Sequence, residues 1–96
     1  MANYELSGEA ESDLSIIYGY SYRQFGRVQA DTYFLSIHDC LSKLADTPDI
    51  GRSIARLRRG YFRFEHESHV IFYVKTDRGI RVVRILHERM DPKRHF

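Results

Sequence analysis

The sequence predicts an α+β domain of element order βααβββ, a helical hairpin packed on a small, mainly antiparallel sheet. Two observations carry this reading. Apolar residues recur at three- and four-residue spacing through residues 8–46, and apolar and polar residues follow a two-residue period from residue 61 onward. Gly and Pro punctuate the stretch between them. Helices that come first and strands that come last segregate into layers, and strands joined by short turns pair antiparallel.

Each element follows from local chemistry. Tyr4 and Leu6 alternate with Asn3 and Glu5, which predicts a short first strand. Ser7 is suited to cap a helix starting at Gly8, and Glu9, Glu11 and Asp13 place negative charge near the positive end of its dipole. Ala10, Leu14, Ile17, Tyr18 and Ser21 form its inward stripe, and Gly26 suits a C-terminal cap and a tight corner. A second stripe runs through Ala30, Phe34, Ile37, Leu41 and Leu44, flanked by Tyr33 and Leu35, and stops before Pro48. So short a corner makes the two helices an antiparallel hairpin. Thr47–Gly60 is expected to be a connecting loop. In the next strand Tyr61, Arg63 and Glu65 face one way and Phe62, Phe64 and His66 the other, before Glu67 and Ser68 turn the chain. The run "HVIFYV" at 69–74 predicts an interior strand covered on both faces. After the turn "TDRG", the last strand sends Ile80, Val82 and Leu86 to one face and Val83 and Ile85 to the other. The sheet face away from the helices is expected to be solvated or open to a partner.

Ninety-six residues suffice for a single domain, 1–96. No apolar run approaches the roughly 20 residues that cross a bilayer, and the N-terminal stretch has no apolar leader pattern, so a cytoplasmic protein with no membrane partner is expected. The single Cys40 falls within a helical stripe and reads as a small buried thiol. The charge is asymmetric: residues 1–50 carry three basic and eight acidic side chains, and residues 51–96 carry twelve basic and five acidic ones. Twelve of the fifteen basic residues are Arg, whose planar fork grips carboxylate or phosphate at two points. An anionic partner fits this composition, as does a basic face that only complements the acidic half.

Two stretches concentrate the chemistry. "RSIARLRRGYFRF", residues 52–64, sets five Arg among aromatic residues, a composition suited to a protein partner, to nucleic acid, or to a solvated loop. "HERMDPKRH", residues 87–95, offers His87, Glu88, Asp91 and His95. The eight-residue spacing of its histidines and Pro92 defeat a helical metal site, so no metal is expected. His87 and Arg84 are expected to bond Asp91 or Glu88 and fasten the tail. His38 reads as a helix-surface residue and His69 as a strand residue without a catalytic partner. No phosphate loop, nucleophile elbow or paired-carboxylate arrangement occurs, so no catalytic residue and no cofactor are expected.

Across nearly its whole length the chain resembles the ParE toxins of the ParE/RelE toxin-antitoxin superfamily. The resemblance rests on "YELSGEAESDLSIIYGY", "FGRVQADTYFLSI", "LSKLADTPDIGR", "LRRGYFRF", "HVIFYV" and "VVRILHERMDPKRHF", in that order and spacing. It implies a toxin that poisons DNA gyrase and is neutralised by a ParD-like antitoxin laid between the hairpin and the sheet. Tyr18, Tyr22, Phe34, Arg58, Arg59, Tyr61 and Arg63 are then expected at the antitoxin. Arg81, Arg84, His87, Arg89, Lys93 and Arg94 are expected to form a basic edge that meets gyrase or its DNA, without sequence-specific binding of nucleic acid by this chain alone. The RelE-like branch cleaves messenger RNA on the ribosome. Its pattern commonly has Arg where this chain has Val70, and Tyr where it has Glu88, so the resemblance favours inhibition by binding. A third reading is a module that binds its antitoxin and has lost toxicity.

Overall fold

A computed structural model describes residues 2–96. Strand β1 (Asn3–Leu6) leads into helices α1 (Gly8–Phe25) and α2 (Arg27–Asp46), followed by β2 (Arg52–Ser53), β3 (Tyr61–His66), β4 (His69–Thr76) and β5 (Gly79–His87). The strands form one sheet in the order β1-β5-β4-β3-β2, in which β1 runs parallel to β5 and every other pair is antiparallel. The α+β reading and the hairpin-connected β3–β5 therefore hold. The expected loop holds a fifth strand: Arg52 and Ser53 pair with Arg63 and Phe62, because the chain must run back along β3 before entering it.

Local chemistry sets the helix ends. Ser7 Oγ accepts the Ala10 N–H at 3.0 Å, as its capping position predicts. Gly26 alone separates the helices, with φ +86°, a value that favours glycine. At Gly79, with φ +150°, a Cβ would strike the Asn3 backbone, so the parallel pairing of β1 with β5 requires glycine there.

The main core lies between the hairpin and the sheet, where Leu14, Ile17, Ile37, Leu41 and Leu44 meet Ile71, Tyr73, Ile80, Val82 and Ile85. Each fully buried Leu, Ile or Phe contributes about 1.5–3 kcal/mol. Cys40 is buried in this core, which pushes its thiol pKa up. His38, read as a helix-surface residue, is half-buried. It bonds the Tyr4 hydroxyl and packs edge-on against Phe34, with ring centroids 4.6 Å apart.

The other sheet face is covered in part. Val70, Phe72 and Leu86 form a smaller core there with Ile54 and Phe96, which covers part of the face expected to be solvated or open to a partner, while Arg52, Arg58 and Arg81 stay exposed. Strand β5 departs from simple alternation. Its register with β4 slips between Phe72, opposite Arg84, and Tyr73, opposite Val82, which leaves Val83 as the extra residue of a bulge. Ile85 consequently joins Ile80 and Val82 in the main core, while Leu86 turns to the opposite face. The sequence pattern had placed Leu86 with Ile80 and Val82.

Candidate functional site

The site begins where β1 ends. β1 pairs only with Gly79–Val82, so the rest of β5 has no strand on that side, and the start of α1 covers part of the gap. Ser7 donates from its backbone N–H to Val82 O at 2.9 Å and from Oγ to Val83 O at 2.7 Å. Nearly two turns further on, the buried Asp13 accepts the Arg84 fork through Nε at 2.8 Å and Nη2 at 2.9 Å, and also the Ile85 N–H at 2.9 Å. Glu9 stands 3.6 Å from the same guanidinium. The hydrogen bond to Asp13 raises the Arg84 pKa against the opposing effect of burial. Arg84 therefore fastens α1 to β5. The expected bonds from Arg84 to Asp91 or Glu88 do not form, because Asp13 and Glu9 take up its guanidinium, and Asp91 instead accepts the Lys93 N–H of its own turn at 3.0 Å.

Beyond this clasp lies an apolar groove of about 720 Å³. Ile16, Ile17, Tyr20 and Phe25 of α1 form one wall, Ile85 and Leu86 the other, and Met90 and His95 of the tail reach its rim. Ile16 is 65 % exposed, Tyr20 56 % and Phe25 66 %. Large apolar side chains exposed together along one groove mark a place where a partner removes water.

Three histidines form one cross-strand row at the groove's end, because His66 stands opposite His69 and His69 opposite His87. Of these, His69 and His87 line the groove. Tyr33 of α2 hydrogen-bonds His69 Nδ1 at 2.6 Å and stacks on His66 at 5.9 Å, while Ser36 Oγ lies 3.1 Å from His66 Nε2. The His69 and His87 rings meet edge to face at 5.5 Å, and the Arg89 N–H donates to His87 Nδ1 at 3.2 Å. Burial pushes the His69 pKa down, helped by His87 and His66, and pushes the Tyr33 phenol up to about 12. His69 is therefore neutral at neutral pH. The row was missed in the sequence, although a signal existed: histidines flanking the two-residue turn Glu67–Ser68 must face each other in a hairpin.

The arginines lie elsewhere. On the face away from the helices, Phe96 packs edge-on against Tyr61 at 5.4 Å and Phe72 at 5.1 Å. Arg58 stands over Tyr61 at 5.2 Å and Arg63 over Phe72 at 5.9 Å, within cation–π range. The seven residues expected together at the antitoxin thus lie on the hairpin, on the far face of the sheet and in the loop before β3. Tyr18, Tyr22 and Phe34 cluster on the hairpin, where the Tyr18 hydroxyl donates to Asp31 at 2.6 Å, and none of them lines the groove. Tyr61 and Arg63 sit on the far face, with Arg58 beside them and Arg59 exposed in the loop before β3. Of the expected basic edge, Arg81, Arg89, Lys93 and Arg94 are exposed, Arg84 is held by Asp13, and His87 belongs to the histidine row. Among the described residues no cluster is arranged to hold a metal ion, and no helix is long and apolar enough to cross a membrane.

Comparison with known proteins places this geometry in a family. The family model for the ParE toxin of the type II toxin-antitoxin system parDE matches residues 4–92. The chain belongs to the ParE toxin family. It is 37 % identical over 96 residues to Toxin ParE1 of Mycobacterium tuberculosis, covering 99 % of this chain and 98 % of the relative. Toxin ParE1 of Caulobacter vibrioides is 34 % identical over 96 residues, covering 100 % and 99 % respectively. Toxin ParE of Escherichia coli is 32 % identical over 92 residues, covering 95 % and 89 %. A chain in the solved structure titled "Chromosomal ParDE TA system from P. aeruginosa" superposes with a TM-score of 0.77 at 18 % identity, covering 91 % of this chain and 96 % of that one. The ParE fold in this chain thus presents two separate surfaces, an apolar groove beside α1 and an arginine-bearing face across the sheet.

Proposed function

We propose that this ParE-family chain is a toxin that inhibits DNA gyrase by binding it, and that its groove receives a ParD-like antitoxin. The exposure of Ile16, Tyr20 and Phe25 along one groove carries the antitoxin part of the reading. A segment that orders as it binds loses conformational freedom, and burial of apolar anchors must offset that loss. The unpaired end of β5 offers backbone groups beside those anchors, while charged residues at the rim select the partner.

Action by binding is supported by the state of the residues that hydrolysis would need. Val70, where the RelE-like pattern has Arg, is 4 % exposed inside the smaller core, and Arg84 is committed to Asp13. His87 Nδ1 already accepts the Arg89 N–H. A transition-state cation and a proton-transfer partner each contribute orders of magnitude to such a rate, whereas inhibition by binding needs neither. Arg81, Arg89, Lys93 and Arg94 have no ion-pair partner among the described residues and are the proposed contacts to gyrase.

A gyrase supercoiling assay, run beside a translation-coupled RNA cleavage assay, tests this reading. Loss of supercoiling that the antitoxin reverses, with RNA left intact, is the expected result. RNA cleavage replaces the reading with the ribonuclease, and silence in both assays with tight antitoxin binding leaves the non-toxic module. Replacing Arg89, Lys93 and Arg94 with Ala should preserve folding and antitoxin binding while abolishing growth arrest. Undiminished growth arrest removes those residues from the target contact.

A further inference from the structure

On the sheet face away from the helices, β-pairing sets Arg52 opposite Arg63, and the row Tyr61, Val74, Arg81 adds a third guanidinium. Arg58 leans over Tyr61 beside them. Lys93 and Arg94 are exposed on the tail at the border of this face, since the tail passes from His95 at the groove rim to Phe96, seated on Tyr61 and Phe72. The carboxylates nearby are few. Glu65 is shared at 3.9 Å by Arg52 and Arg63, Glu5 stands opposite Arg81, and Asp91 caps its own turn. Arg63 Nε is buried without a hydrogen-bond partner. Arg58, Arg81, Lys93 and Arg94 have no ion-pair partner among the described residues.

We propose that this face binds duplex DNA through its phosphates, without reading the bases. Planar guanidinium forks match phosphate oxygens in pairs, and a rigid sheet holds several of them at fixed spacing. The aromatic rings choose between forms of nucleic acid. Phe72 is 1 % exposed, and Phe96 and Arg58 pack against Tyr61, so neither ring offers an open face to an unpaired base. A single strand gains much of its affinity from such stacking, whereas a duplex hides its bases and presents phosphates. A protein partner needs exposed apolar anchors, and Ile16, Tyr20 and Phe25 offer them in the groove. The proposal rests neither on the groove's occupant nor on gyrase as target.

The test is fluorescence anisotropy with the isolated chain, two unrelated duplexes of about 20 base pairs and a single strand of the same length, at about 50 and about 200 mM salt. The two duplexes should bind equally and more tightly than the single strand. With about five phosphate contacts, the affinity should fall about 500-fold between the two salt concentrations. The triple variant Arg58→Ala, Lys93→Ala, Arg94→Ala should lose at least about tenfold in affinity, and its salt slope should drop by about three. Arg23→Ala with Arg27→Ala, on the hairpin, should change nothing. Lys93→Glu alone, which alters one exposed side chain, gives a second reading if the triple variant melts early. No duplex binding at the lower salt, undiminished binding by the triple variant and by Lys93→Glu, or tighter binding of the single strand each overturns the proposal. Gyrase inhibition that persists without DNA binding removes this proposal alone.

Discussion

The groove beside α1 and the face across the sheet both carry arginine, yet they use it differently. At the groove, Arg84 is gripped at two points by the buried Asp13 and approached by Glu9, so its charge joins a helix to a strand. Across the sheet, Arg52 and Arg63 share one exposed carboxylate at 3.9 Å, and Arg58 rests on an aromatic ring. A cation satisfied within its own chain is structure, and a cation left without a carboxylate is available to a partner. The same asymmetry holds for apolar groups. The groove exposes Ile16, Tyr20 and Phe25, whereas the far face covers Phe72 with its own tail. The groove is therefore suited to apolar segments and the far face to anions.

The clasp gives the largest expected effect. Asp13→Ala strands the Arg84 guanidinium and the Ile85 N–H, and urea unfolding should show a loss of about 3–5 kcal/mol. Pairing Asp13→Leu with Arg84→Met should recover part of that loss, since apolar side chains of similar size often replace a buried ion pair without penalty. A loss under about 1 kcal/mol in Asp13→Ala would remove the contrast between the two arginine environments. Next comes the groove. Tyr20→Asp with Phe25→Asp should weaken antitoxin binding about 100-fold in calorimetry, while melting stays unaffected because both rings are already exposed. Unchanged affinity would mean that the partner docks elsewhere.

Two smaller effects sharpen the comparison. Phe96→Ala removes the ring that covers Tyr61 and Phe72 and should cost about 1 kcal/mol in urea unfolding, with antitoxin affinity intact. A matching loss of antitoxin affinity would show that the two surfaces are coupled. His69 supplies a pH dependence. Burial holds its folded pKa below the ordinary 6.5, so the unfolded chain binds the proton more readily. The stability this confers is present above pH 6.5 and is lost as pH falls through that value toward the folded pKa. His69→Gln should flatten the decline in unfolding free energy between about pH 7 and pH 5. An unchanged slope would assign the decline to other groups.

Much of the fold is legible in residue order because its signals are local. The Ser7 cap, the Gly26 corner, both helical stripes and the β3–β5 meander each depend on residues within a few positions of one another. The two-residue β2 was not legible, since Arg52 and Ser53 become a strand only through pairing with β3. The site was less legible still. Composition identified an arginine-rich second half and an apolar, aromatic hairpin, and the resemblance assigned both to one antitoxin site, because neither says which face of a strand a distant helix covers. The bulge at Val83 then moved Ile85, Leu86 and Arg84 off simple alternation.

The sequence by itself determined the layers, the helix ends, the charge asymmetry and, through resemblance along the whole chain, the toxin family. Those properties are set by short-range periodicity and by residue types in order, and neither needs coordinates. Only the tertiary structure decided that β1 lies parallel to β5, that Asp13 reaches across 71 residues to neutralise Arg84, that three histidines share one row, and that Arg52, Arg58, Arg63 and Arg81 lie outside the groove. Each of these depends on which distant backbones pair and in what register, and a one-residue slip reverses the direction of every side chain beyond it.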